Sequence, residues 1–366
     1  MKIRYSLLPT LMVSLFSYPV YSATTVTTYQ GLLDELASST TADVVLDMNG
    51  GGIDLDGADG VTISQNQSVL FKNIGTEGSS SWTDTRYNIK NSGTVSINNV
   101  ILSQNNAQIG SGVSNGGAII QNRGKITEIT DSIFNNNNPT TQTDGWGGII
   151  NNYKAEIGTI KNVVFSNNSF YSQNHAPHGG VIGNSGENNA FGIIKLIDNV
   201  TFENNVMTSA PNQVGGAHGV GIDNNGDGII EKITNSKFIN NLTYRTGEAE
   251  LSGNYHASGG AMDNYGYIGE ISNTLFKGNS ATTESVSAST TGGAIMNVYV
   301  GINYEPSGKI DKIVNVQFIE NYVYAKKAIA TGGAIDNGNA SDDGGTSYIG
   351  EIFADFIGNY AKSDEG

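Results

Sequence analysis

A two-part phrase recurs along this chain and limits its fold more than any other feature. The clearest copy is Gly259-Gly260-Ala261-Met262-Asp263-Asn264, answered by Ile268 to Asn279 in the form Ile-x-x-Ile-x-x-x-x-Phe-x-x-Asn. Its phenylalanines are Phe134, Phe165, Phe202, Phe238, Phe276, Phe318 and Phe356. Each is followed three residues later by an asparagine: Asn137, Asn168, Asn205, Asn241, Asn279, Asn321 and Asn359. Five residues before the first six stand Ile129, Ile160, Ile197, Ile233, Ile271 and Ile313, and three residues earlier Ile126, Ile157, Ile194, Ile230, Ile268 and Ile310. Successive phenylalanines lie 31 to 42 residues apart, so insertions fall in the joins while the phrases stay fixed. That is the mark of a solenoid, whose repeats bury apolar surface only by stacking on one another.

The punctuation selects the kind of solenoid. Helical repeats need about ten continuous residues at 3.6-residue periodicity, and Gly or Asn interrupts every such run. Each repeat instead holds three strand-sized pieces, around Ala-Ile-x-Asn, Ile-x-x-Ile and Phe-x-x-Asn. Coiled as parallel strands about 4.8 Å apart, equivalent residues form continuous columns of Ile and of Phe. The asparagine of Phe-x-x-Asn then sits at a bend, where its amide bonds the turns above and below. The pairs Gly116-Gly117, Gly147-Gly148, Gly179-Gly180, Gly259-Gly260, Gly292-Gly293 and Gly332-Gly333 suit a tight corner at positive φ, and the fourth copy is altered to Gly219-Val220-Gly221. A leucine-rich horseshoe expects Leu columns at a shorter period. The expectation is an all-β, right-handed, single-stranded parallel β-helix of the pectin-lyase-like kind, with eight or nine turns.

Composition agrees. With 48 Gly, no Cys and 14% charged residues among 366, the chain suits short strands joined by turns and has no disulfide scaffold. Its net charge of −15 argues against a nucleic-acid partner, because phosphate rewards Lys and Arg. Lys2 and Arg4, the apolar run Leu7 to Phe16, and the small residues flanking Tyr21 before Ala23 read as a signal peptide over 1–22. No later stretch is long and apolar enough to cross a membrane. Residues 23–48 read as an N-terminal cap. There Thr27-Thr28-Tyr29-Gln30 resembles a capping box that opens a short helix over Tyr29 to Ala37, with Leu32, Leu33 and Leu36 on its apolar face. The repeat domain occupies 49–366, with a degenerate first copy at Ile97 to Asn105 in which Leu102 replaces the phenylalanine.

Gly117-Ala118-Ile119, Gly293-Ala294-Ile295 and Gly333-Ala334-Ile335, alternating with seven Phe-x-x-Asn units behind a signal peptide, resemble the passenger domains of bacterial autotransporters. The likeness is closest to adhesin-like and polymorphic outer-membrane protein repeats, and it runs over Gly116 to Asn359. It implies a surface-displayed, often adhesive β-helix exported through a C-terminal barrel. No alternating strands of about ten residues follow Asn359, so the chain reads as truncated or as lacking a translocator barrel.

Three constellations bear on chemistry. His178 and His218 each precede a Gly corner, so stacking makes them vertical neighbours, either around a shared metal or as solvated loop residues. Asp223-Asn224-Asn225-Gly226-Asp227 resembles the start of a calcium loop, with Asp223, Asn225 and Asp227 as oxygen ligands. Thr234 stands where a bidentate Glu belongs, and a plain polar turn is the other reading. Asp263 occupies the place of Asp223 one turn on, so the two carboxylates stack unless a cation or proton intervenes. No cofactor is expected beyond a calcium ion at this site. The same carboxylates are the one cluster compatible with a glycoside hydrolase or lyase, and no nucleophile motif or phosphate loop accompanies them. Tyr153, Tyr265, Tyr267, Tyr299 and Tyr304 follow the Gly-Gly strand and suit either contact with a ligand or stacking along the solenoid.

These readings converge on an exported protein at the cell surface, in the outer membrane or extracellular, or periplasmic if truncated. Its expected work is adhesion or self-association through the joins, with a host-surface protein or glycan, or the same protein on a neighbouring cell, as partner. A carbohydrate-active enzyme and an inert stalk are the alternatives.

Overall fold

The computed structural model describes residues 23–53, 60–75, 89–105, 108–109, 119–141, 145–173, 176–210, 216–246, 256–285, 288–299, 307–339 and 346–365. The signal-peptide reading of 1–22 lies outside them, as do His175, Tyr304 and the pair Gly116-Gly117. The chain forms a right-handed parallel β-helix whose named strands all pair in parallel. A nine-stranded sheet takes one strand from each turn, from Val61–Ile63 to Ile335–Asn339, in agreement with the expected eight or nine turns.

From Ile120 to Thr291 each turn carries five short strands rather than three, and in the next turn the second and third merge into Lys309–Ile319. One turn runs Ile182–Gly186, Gly192–Asp198, Thr201–Glu203, Val206–Ser209 and Ala217–His218. The second and third lie in one sixteen-stranded sheet; the last two build an eight-stranded and a six-stranded sheet. Those last two occupy stretches that read as joins, because their side chains change from turn to turn. Backbone pairing with the turns on either side holds them in place and needs no fixed side chain.

The fixed residues make the core. Ile126, Ile157, Ile194, Ile230, Ile268 and Ile310 stand in register, as do Ile129 to Ile313. The phenylalanine rings stack from Phe134 to Phe356 with centroids 4.5 to 5.1 Å apart. Phe134 through Phe318 are fully buried, which contributes about 2 to 3 kcal/mol per ring. Leu102 takes the ring's place below Phe134. In the last turn Ile349 and Ile352 stand opposite Ile310 and Ile313, and a register shift that drops the residue matching Asn315 keeps Phe356 opposite Phe318.

Two asparagine ladders flank this core, buried except at the C-terminal end, where Asn337 is exposed and Asn359 half-buried. The expected one links Asn137, Asn168, Asn205, Asn241, Asn279, Asn321 and Asn359, each Nδ2 donating to the next Oδ1 at 2.9 to 3.0 Å. Each of these amides also reaches back to a carbonyl of the preceding turn, as Asn241 does to Phe202 at 2.9 Å. The second ladder runs Asn91, Asn122, Asn152, Asn184, Asn224, Asn264, Asn297 and Asn337 at 2.7 to 2.8 Å.

The glycine pair divides its labour. Gly259 holds φ at +55°, a left-handed conformation that a side chain would strain, whereas a Cβ on Gly260 would lie 2.1 Å from the carbonyl oxygen of Gly293 on the next turn.

The helix Tyr29–Ser38 closes the N-terminal end, burying Leu32 and packing Leu33 and Leu36 against the first turns. Its N-cap is Thr28, whose hydroxyl accepts from Gly31 N at 3.1 Å. The capping box from Thr27 to Gln30 is therefore not formed, and Gln30 donates to Asp34 instead. Gln67 anchors the other end, donating to the carbonyls of Leu36 and Ser39.

Candidate functional site

The corner strand and the asparagine strand meet at each glycine corner, where residues turned away from the apolar core form two columns that face each other. Trp146, His178, His218 and Ser258 follow one another on the corner sheet. Asn151, Gly183, Asp223 and Asp263 follow one another on the asparagine sheet. The alternation of the strand dictates this, because Ile222 and Asn224 point inward and leave Asp223 outside the core.

The aromatic members stack face to face. Trp146 and His178 lie 4.0 Å apart at 4°, and His178 and His218 lie 4.7 Å apart at 10°. Each imidazole leans across to a carboxylate one turn on. His178 Nδ1 lies 2.9 Å from Asp223 Oδ2, and His218 Nδ1 lies 3.2 Å from Asp263 Oδ2. Both carboxylates are fully buried, and the second oxygen of each, Oδ1, is enclosed without a hydrogen-bond partner. Ser258 donates to Asp263 Oδ2, and the Tyr265 hydroxyl lies 3.1 Å from His218 Nδ1.

Enclosure dominates the electrostatics. Burial, reinforced by the neighbouring Asp263 carboxylate, drives the Asp223 carboxyl well above its usual range, while His218 and Asn225 pull the other way. Burial and the same carboxylates push the Tyr265 hydroxyl well above its ordinary value. His256, two residues before Ser258, is pushed down to about 4 by burial and by the proximity of His218.

The arrangement limits the chemistry. Ser258, Asp263 and Tyr265 all approach the same nitrogen of His218, Nδ1. A serine nucleophile activated through histidine needs its serine and its carboxylate on opposite ring nitrogens. Parallel rings also direct their in-plane lone pairs side by side rather than toward a common point. Among the described residues no group of three or more His, Asp or Glu side chains is disposed to hold a metal ion.

The calcium-loop reading places its residues differently. Ile222–Gly226 is a strand, and Asp227 is turned aside to accept from the Asn189 backbone at 2.9 Å. The strand stands Asp223 and Asn225 on one face, and Gly226, at φ +54°, turns the chain before Asp227, so the segment does not wrap an ion as a calcium loop does. Asp223 and Asp263 are brought together, and the Asn225 side chain bonds Asp223, whereas Asp227 lies in the turn beyond the strand.

The tyrosines do not form one contact patch. Tyr299 is buried. Tyr153 donates to Glu187 at 2.5 Å beneath Arg123 and Lys154, and Tyr267 donates to Asp311 at 2.5 Å beneath Lys309. These are latches between successive turns. Trp146, Ser258 and Tyr265 were not legible as partners of the histidines; only the placement of Trp146 and Ser258 directly before a glycine corner hinted at it.

Comparison of the chain with protein-family models, with curated proteins and with solved structures found no match to any of them.

Proposed function

We propose that this is an exported, passenger-like β-helix protein displayed at a cell surface, and that it works by binding rather than by catalysis. The observation that supports the reading is where chain length varies. Strand lengths hold from turn to turn, while extra residues gather at two edges. Before the corner strand the connection grows from residues 142–144 to 246–255; after the asparagine strand it grows from 154–155 to 300–308. A rigid scaffold with variable segments at fixed edges is the usual division between support and recognition. Host-surface protein, glycan or a second copy of the chain are the partners to be separated by experiment.

Display of the chain on a non-adherent cell tests the reading. Attachment to host cells or to one another is expected, with no reducing sugar or unsaturated product released from polysaccharide. Product release without attachment would favour an enzyme, and neither response would favour an inert stalk.

A further inference from the structure

We propose that the outward face of the eight-stranded sheet binds an uncharged, linear glycan laid along the solenoid axis. The inference rests on the surface-binding reading and names its surface and ligand class. In this sheet alternate residues point inward, as Phe170, Met207 and Val323 do, and the others face out. One outward column reads Thr140, Tyr171, Thr208, Tyr244, Thr282 and Tyr324 on successive turns. All six are half-buried, with part of each side chain open to solvent.

Within the strands from Thr140 to Tyr324 no outward residue is charged, in a protein of net charge −15, while the exposed Glu284 stands just beyond Ser280–Thr283 against Tyr244. The ion pairs lie elsewhere, as Lys125 and Lys195 with Glu156 and Lys232 with Glu270 on the isoleucine strands, until Lys362 ends the column. A ridge of exposed amides borders the face: Asn167, Asn204 and Asn240, each held at positive φ just before a ladder asparagine. Rings, hydroxyls and carboxamides without charge complement a ligand that is itself a chain of hydroxyls with apolar sugar faces. A polyanion finds no outward cation in these strands.

Spacing gives the ligand its shape. Tyrosines recur on every second turn, at Tyr171 and Tyr244, and so lie about 10 Å apart. A β-1,4-linked chain turns successive sugars over and presents the same face to every second ring. The Tyr244 hydroxyl bonds Glu284 on the next turn, and that of Tyr324 bonds Asp364 at 2.6 Å. Tied at the hydroxyl, each ring is held in position along the axis and is preorganised for stacking.

The test uses the full chain in native gels containing hydroxyethyl cellulose or alginate, with titration of cellohexaose. Retardation by the uncharged polymer and not by alginate is expected. The double variant Tyr171→Ser, Tyr244→Ser should weaken cellohexaose binding at least about tenfold, whereas Tyr153→Ser on another face should not. Unchanged melting temperatures confirm that each variant folds. No retardation by either hydroxyethyl cellulose or glucomannan, or equal binding by the double variant, overturns the proposal. Displayed cells separate the two levels. Undiminished attachment by the double variant removes this face and leaves the binding reading standing; no attachment by the parent chain removes the reading itself.

Discussion

His178 and Asp223 are 45 residues apart in sequence, yet Nδ1 and Oδ2 meet at 2.9 Å because one turn of the solenoid separates them. His218 and Asp263 repeat the contact one turn on, and the two carboxylates become neighbours inside the protein. Such a pair makes stability depend on pH. The Asp223 carboxyl is raised, so its contribution is fully present below its unfolded pKa and is lost as pH rises through the folded value. His256, lowered to about 4, acts oppositely: its contribution is present above about 6.5 and is lost as pH falls toward 4. Asp223→Asn should therefore raise the melting temperature at pH 8 relative to the parent. His256→Gln should flatten the fall between about pH 6.5 and 4. Melting curves across pH decide both, and an unchanged alkaline limb in Asp223→Asn would refute the buried-carboxyl account.

Tyr267 should ionise near 12, held up chiefly by its hydrogen bond to Asp311. Its latch is then lost only as pH rises from about 10 toward 12. In Asp311→Asn the tyrosinate absorbance should appear at lower pH. A titration curve identical to the parent's would mean that the bond does not form in solution.

Adjacent asparagines offer a paired test of the ladder. Asn241 is buried and donates to Phe202 O and Asn279 Oδ1, both at 2.9 Å, whereas Asn240 is an exposed bend residue at φ 53°. Asn241→Asp sets a buried carboxylate against two acceptors and should cost on the order of 3 kcal/mol or more. Asn240→Asp keeps a side chain that tolerates the left-handed bend and should stay within about 0.5 kcal/mol. Urea unfolding of both variants is the measurement. Phe238→Ala, removing one ring from the stack, should cost about 3 to 5 kcal/mol in the same assay.

Calcium is tested by melting. Because Asp227 lies beyond the strand Ile222–Gly226 and accepts from the Asn189 backbone instead, millimolar calcium is expected to leave the melting temperature where it was. A rise that disappears in Asp263→Asn would instead assign an ion to the paired carboxylates.

What the residues dictate without coordinates is the repeat itself: the isoleucine columns, the phenylalanine stack, the Phe-x-x-Asn ladder and the corner glycines. Each depends on one residue type recurring at one place, and stacking turns such recurrence directly into contact. The second ladder was equally legible, since Asn184, Asn224 and Asn264 each stand five residues after the first glycine of their corner. The strands from Ser169–Ser172 to Tyr322–Ala325 were hidden because their side chains vary and only their backbones pair. Tertiary structure alone decided which varied residues meet: His178 with Asp223, His218 with Ser258 and Tyr265, Tyr171 beside Thr208. Register between turns brings these together, and connections of different length precede each of them. No local spacing encodes contacts of that kind, because the hydrogen-bond ladders absorb the differences in length and return every strand to the same place.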